Sequence, residues 1–150
     1  MTSQQFDILT IADACVDLVV NLGDTLPRFG QEEQWVQDYF LELGGSACIF
    51  ACQAAKLGLR VGILGRVGAD ELGEFVLRRL QACGVDTQFM LVEPTVKTGL
   101  GIHLLRAQGD RAILTVAGSL NAVYEQDISD AWLQRGRHLH YCSYFLQTHL

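Results

Sequence analysis

The chain has 150 residues, 49% of them apolar and 19% charged, and 17 acids against 11 bases leave a formal charge of −6 with histidine neutral. That composition excludes an intrinsically disordered chain, and about 150 residues suffice to bury roughly 70% of the unfolded surface in one domain. The negative balance excludes a general nucleic-acid binder, which needs clustered Lys and Arg.

No apolar run approaches the roughly 20 residues of a membrane-spanning helix, so no membrane contact is expected. Met1-Thr2-Ser3-Gln4-Gln5 lacks the basic and apolar regions of a secretory leader. The five cysteines, Cys15, Cys48, Cys52, Cys83 and Cys142, are scattered and odd in number. Without a leader they read as reduced thiols of a cytoplasmic protein.

The apolar run at 6–12, with Ile8, Leu9 and Ile11, predicts an opening strand, and 18–20 a second short extended piece. Residues 23–30 are turn chemistry, and 35–43 read as a strand with aromatic, alternating character. Gly44-Gly45 then precedes an alanine-rich helix over 46–57, with Ser46 as its N-cap and Gly58 as its stop. A buried strand is expected at 61–64. Asp70 caps a second helix over 71–83, whose Leu72, Phe75, Val76 and Leu80 repeat at three to four residues before Gly84 ends it. Runs at 99–105 and 111–116 flank Gln108-Gly109-Asp110 and predict a hairpin. A short helix over 127–133 and a strand over 139–145 follow.

Alternating strands and helices predict an α/β fold, a mostly parallel sheet with flanking helices. The segments near 18–20, 35–43 and 99–116 break that alternation and predict a second, smaller sheet. A closing parallel strand needs cover on both faces. Polypeptide beyond Leu150 is therefore expected.

Chemistry concentrates at two places. Gly44-Gly45-Ser46 opens a helix, and two glycines let a ligand approach a backbone whose free N–H groups suit hydroxyl oxygens or phosphate. The competing reading is a tight turn. Asp13 and Asp17 follow the first strand, and ligands of open α/β sheets bind beyond the carboxyl ends of strands. A carboxylate there accepts two hydrogen bonds from neighbouring sugar hydroxyls; the competing reading is a pair of solvated loop acids.

Other signals are weaker. Gly62, Gly65 and Gly68 are spaced GxxGxxG rather than GxGxxG, which is a poor fit to a dinucleotide loop. His138, His140 and Cys142 share a strand face with metal-ligand chemistry but have no fourth ligand in view, and buried structural histidines are commoner. Cys48 and Cys52, one helical turn apart, read as small core residues.

Taken in order, Gly44-Gly45-Ser46-Ala47-Cys48-Ile49-Phe50-Ala51, Leu57-Gly58, the run from Val61 to Gly73 and Gly84-Val85-Asp86-Thr87 resemble the first signature region of the ribokinase-like (PfkB) carbohydrate kinases. The opening 6–20 segment, Thr98-Gly99, Gly109-Asp110-Arg111 and the 141–146 strand fall in the family's order too. The resemblance implies that 1–150 is the N-terminal part of a Rossmann-like ribokinase-type kinase domain, truncated before its C-terminal half. A small β lid is implied near 17–43 and 99–116. It implies ATP-dependent phosphoryl transfer to a hydroxyl of a sugar or related polyol. Asp17, Gly44, Gly45 and Ser46 would bind the substrate, and two copies would pair through the lid. ATP and Mg²⁺ would serve the complete enzyme and not bind this chain alone.

Three departures stand out. Ile49 and Cys15 replace asparagines usual in the family, which points to a less hydroxylated or more apolar substrate. The family's Gly-Ala-Gly-Asp element, source of the catalytic base and anion hole, does not occur in the sequence. No catalytic residue and no metal ligand is therefore assigned here, and the 150 residues alone are expected to phosphorylate nothing. Two other readings remain beside this one: a non-catalytic interaction module and a nicotinamide-binding Rossmann domain.

Overall fold

The two most buried strands lie at the centre of one sheet, and a second sheet is largely half-exposed, in a computed structural model that describes residues 4–150. In chain order the elements are β1 (Phe6–Ile11), β2 (Cys15–Gly23), β3 (Asp38–Gly44), α1 (Ser46–Lys56), β4 (Val61–Gly68), α2 (Glu71–Ala82), β5 (Asp86–Glu93), β6 (Gly99–Arg106), β7 (Arg111–Val116), α3 (Asp130–Leu133) and β8 (Gly136–Tyr141). Short 3-10 turns lie at Gly118–Asn121, Glu125–Asp127 and Tyr144–Leu146.

The first sheet is parallel throughout, in the order β5-β4-β1-β8. Its central strands are apolar on both faces because both faces are covered. On one side Ile8, Ala12 and Ile63 pack with Cys48, Ala51, Val76 and Leu80 from α1 and α2. On the other, Phe6, Leu9, Ile11 and Leu64 pack with Val123 and Trp132. Burying each Leu, Ile or Val contributes about 1.5–3 kcal/mol, so these two layers hold the molecule together. Ala47 and Ala51 are wholly buried, and their small side chains let α1 lie close against the sheet.

The second sheet runs β3-β2-β6-β7, with β2 antiparallel to β3 and parallel to β6, and β6 antiparallel to β7. It joins the body where Val16, Leu43 and Leu100 pack onto the core. Beyond that junction it stands away from the body, and every residue of β7 is exposed. Asp70 fastens the junction. Its carboxylate caps α2 by accepting from the Gly73 N–H at 2.8 Å, and it also accepts from the Thr98 N–H and hydroxyl at 2.9 and 2.7 Å. Burial opposes the Asp70 charge, but the Thr98 and Gly73 hydrogen bonds outweigh it and hold the carboxyl below its ordinary range.

Several elements differ from the sequence expectation. The short piece at 18–20 is a nine-residue strand, because β2 is paired on both sides. The strand expected at 35–43 starts later, at Asp38, where pairing to Asn21 begins, and Trp35 lies in an exposed loop. β5 was not expected: its mixed sequence, Asp-Thr-Gln-Phe-Met-Leu-Val-Glu, suits an edge strand with one open side. The helix expected at 127–133 is a 3-10 turn followed by one α-turn. The last strand spans 136–141 rather than 139–145, and Ser143, left-handed at φ 55°, breaks the extended run that follows it. Among the described residues no helix is long and apolar enough to cross a membrane.

Candidate functional site

Asp13 follows β1 and is buried, and its carboxylate caps α1 from outside the helix. Its Oδ2 accepts from the Ser46 N–H and its Oδ1 from the Ala47 N–H, each at 2.9 Å, and the Ser143 hydroxyl donates to Oδ2. The helix thus starts after Gly45, whose own position supplies no cap side chain, and the Ser46 hydroxyl is not the cap the sequence suggested. Asp13 is a structural acid rather than a solvated one. The left-handed turn at Ser143 brings that hydroxyl to it.

Two glycines shape this corner for different reasons. Gly45 sits at φ 87°, and a Cβ there would collide with the Asp13 carbonyl. Gly44 clears space for another acid: a Cβ there would lie 2.6 Å from Asp17 Oδ1 and 2.6 Å from Cys15 Sγ. A Cβ at Gly101, on the other neighbouring strand, would lie 2.7 Å from the same oxygen. Asp17 is therefore seated between two glycines on β3 and β6, either side of its own strand β2. The register places Gly101 directly beside it.

His103 completes the wall. Its Nε2 lies 3.2 Å from Asp17 Oδ1, and the two side chains are 16% and 26% exposed. The Cys15 thiol points to the same oxygen at 3.9 Å. Burial, with the Asp17 and Asp13 charges adding to it, pushes that thiol up to about 12, so it stays protonated. Among the described residues Asp17 Oδ2 has no hydrogen-bond partner, yet it is not among the buried unpaired atoms, so it meets solvent.

The structure thus brings Asp17, Gly44, Gly45 and Ser46 into one corner with Asp13. Ser46 and Ile49 stand exposed on the first turn of α1. Sequence reasoning did not find His103, Gly101 or Ser143. A signal for two of them was present: Gly99, Gly101 and His103 alternate, which puts them on one face of a strand.

The weaker candidates resolve differently. Gly62, Gly65 and Gly68 lie inside β4 and not in a loop before a helix. A Cβ at Gly65 would meet the Ala12 Cβ at 2.5 Å, so strand packing accounts for that glycine. His138 is exposed on β8, whereas His140 stacks on Phe50 with ring centroids 3.6 Å apart. His140 Nε2 lies 2.8 Å from Cys142 Sγ, and burial lowers the His140 pKa, with His138 adding to the shift. Among the described residues no three His, Cys, Asp or Glu side chains are grouped to hold a metal ion. Cys48 and Cys52 are buried in the core, as their place among alanines suggested.

Comparison with known proteins fits this architecture. The pfkB family carbohydrate kinase domain matches residues 6–150. The chain is 27% identical over 133 residues to 5-dehydro-2-deoxygluconokinase of Halalkalibacterium halodurans, covering 88% of this chain and 36% of that protein. It is 36% identical over 114 residues to ribokinase of Bacillus subtilis, covering 75% of this chain and 38% of that one. Among solved structures, Arabidopsis thaliana ribokinase complexed with ribose and ATP shares the fold with a TM-score of 0.75 at 24% identity, over 87% of this chain and 42% of that one. The chain spans well under half the length of the relatives it matches. A parallel sheet flanked by helices, a second sheet standing off it and a match over nearly every residue agree: the chain belongs to the pfkB family of carbohydrate kinases, with a ribokinase-like fold.

Proposed function

We propose that this chain carries the substrate-gripping part of an ATP-dependent sugar kinase, which transfers a phosphoryl group to a hydroxyl of a sugar or sugar acid. The observation that carries the reading is the Asp17 carboxylate, seated between Gly44 and Gly101 with one oxygen open to solvent. A carboxylate accepting from a sugar hydroxyl makes a charge-assisted hydrogen bond worth about 1.5–3 kcal/mol. Gly44 and Gly45 keep the neighbouring backbone free of side chains, so a ring can approach closely. The second sheet acts as a lid that excludes water from the reacting oxygen. The kinases named for ribose and for 5-dehydro-2-deoxygluconate support a small polyhydroxylated substrate.

The residues present do not fit the nucleotide. A triphosphate seeks unpaired N–H groups at a helix start. Here Asp13 takes the Ser46 and Ala47 N–H groups of α1, and Asp70 takes the Gly73 N–H of α2. Both are anions that would repel phosphate. ATP and Mg²⁺ belong, on this reading, to the complete kinase, as do the base and anion hole of the Gly-Ala-Gly-Asp element. No transfer step is assigned to these residues.

The test has two arms. Calorimetric titration of the chain with a sugar panel is expected to give saturable binding that Asp17→Asn weakens about tenfold or more. A coupled ADP-release assay on the same chain with ATP, Mg²⁺ and the panel is expected to show no turnover. Turnover by the chain alone would refute the division of labour, and absence of all sugar binding would refute the grip.

A further inference from the structure

We propose that His103 sets substrate specificity by occupying one oxygen of Asp17, so that the site reads a single substrate hydroxyl and accepts sugars deoxygenated at the neighbouring carbon. This inference rests on the sugar-kinase reading above.

A free carboxylate presents two oxygens and suits a vicinal diol, one hydroxyl to each oxygen. Asp17 does not present two. Oδ1 has His103 Nε2 at 3.2 Å and the Cys15 thiol at 3.9 Å, and it faces the side of Gly44 and Gly101 where a Cβ would stand. The glycines bring their strands so near that even a Cβ would lie within 2.7 Å of that oxygen. A sugar hydroxyl needs about 2.5–3.0 Å to its acceptor along an open approach, and at Oδ1 it would compete with the His103 ring nitrogen and the Cys15 thiol. Oδ2 has no partner among the described residues and meets solvent. One acceptor serves one hydroxyl. A second substrate hydroxyl gains no partner here, so its removal loses little.

His103 is the element of this wall that substitution can open. The glycine walls are backbone, and the Cys15 contact is long for a hydrogen bond. The ring of His103 is held on β6, in register beside Val19 of β2 and Ile113 of β7. Its place two residues beyond Gly101 on the same strand face brings its Nε2 over the Asp17 carboxylate. His103 is thus a specificity-determining residue that acts through Asp17.

Matched sugar pairs test this on the 150-residue chain. Dissociation constants of ribose and 2-deoxyribose, and of glucose and 2-deoxyglucose, are measured by calorimetry or ligand-detected NMR. The ratio of deoxy to parent constants is read, because a loss of folded protein cancels from a ratio. For at least one pair, the wild-type ratio is expected within about threefold. His103→Ala frees Oδ1 and is expected to raise that ratio to about tenfold by tightening the parent sugar alone. His103→Gln, whose carboxamide N–H still reaches Oδ1, is expected to keep the wild-type ratio. A wild-type chain that already favours the parent sugars tenfold, or a His103→Ala chain that binds sugar with an unchanged ratio, would overturn the proposal. A wild-type chain that binds none of the four would instead overturn the sugar-kinase reading on which it rests.

Discussion

Asp13 does a job that no local pattern announces. A helix start beginning Gly-Gly-Ser suggests a serine cap, but the cap comes from an acid 33 residues earlier, at the end of β1. One buried carboxylate satisfies two N–H groups of α1, where a serine hydroxyl would satisfy one. Asp13→Ala is expected to destabilise the chain by about 2–4 kcal/mol, through loss of the cap and of hydrogen bonds to a charge. Urea unfolding measures it; a loss below about 0.5 kcal/mol would mean that α1 does not depend on Asp13. Gly45→Ala is expected to destabilise by about 1–3 kcal/mol, since its φ of 87° and the adjacent Asp13 carbonyl exclude a Cβ.

His140 is expected to give the stability a pH dependence. Burial lowers its pKa from 6.5 in the folded chain. Below about pH 6.5 the unfolded chain therefore takes up the proton first, and stability falls as pH drops from there toward the lowered folded value. Above that window the imidazole is neutral in both states and contributes no slope. Thermal melts between pH 7.5 and 5 are expected to show this decline, and His140→Gln to flatten it. An identical decline in the variant would assign the effect to other groups.

At the scale of elements, the two sheets differ in what covers them. β1 and β4 are buried on both faces and belong to the cooperative core, whereas β7 is exposed along its whole length. Hydrogen exchange is expected to proceed faster in β3 and β7 than in β1 and β4, because low local burial permits local opening. The face of the second sheet that carries Tyr39, Leu41 and Leu114, opposite to the Asp17 face, stays apolar and open, with those side chains 66%, 36% and 57% exposed. Pairing of two copies through this sheet remains the proposal drawn from the family resemblance. Sedimentation equilibrium is expected to give a dimer that Leu114→Glu converts to monomer; a wild-type monomer at all concentrations would remove it.

The elements legible in the sequence were those with strong periodic or capping signals. α2 was visible from Asp70, Leu72, Phe75, Val76 and Leu80, and α1 from its alanines. β5 was not, because an edge strand needs no clean alternation. The corner itself was half legible. Asp17 and Gly44-Gly45 stood out, but the partners of Asp17 come from β3 and β6, and pairing so distant in sequence leaves no local trace. The same distance hid Asp13 as a cap and Ser143 as its donor.

At the scale of the whole molecule, a buried parallel sheet carries a projecting one, and the proposed grip lies beside their junction. Asp70, Thr98 and Gly68 tie the start of β6 to the body, and Gly44 ends β3 at the mouth of α1. The Gly44-Gly45 corner thus lies where the second sheet meets α1, with Asp17 two residues into β2 beside it. The direct measurement is a two-dimensional ¹H–¹⁵N NMR titration of the chain with the tightest-binding sugar of the panel. Shifts are expected to concentrate at Cys15, Asp17, Gly44, Gly45, Gly101 and His103, and to be lost in Asp17→Asn. Shifts that fall elsewhere, or that persist unchanged in Asp17→Asn, would contradict the proposed grip.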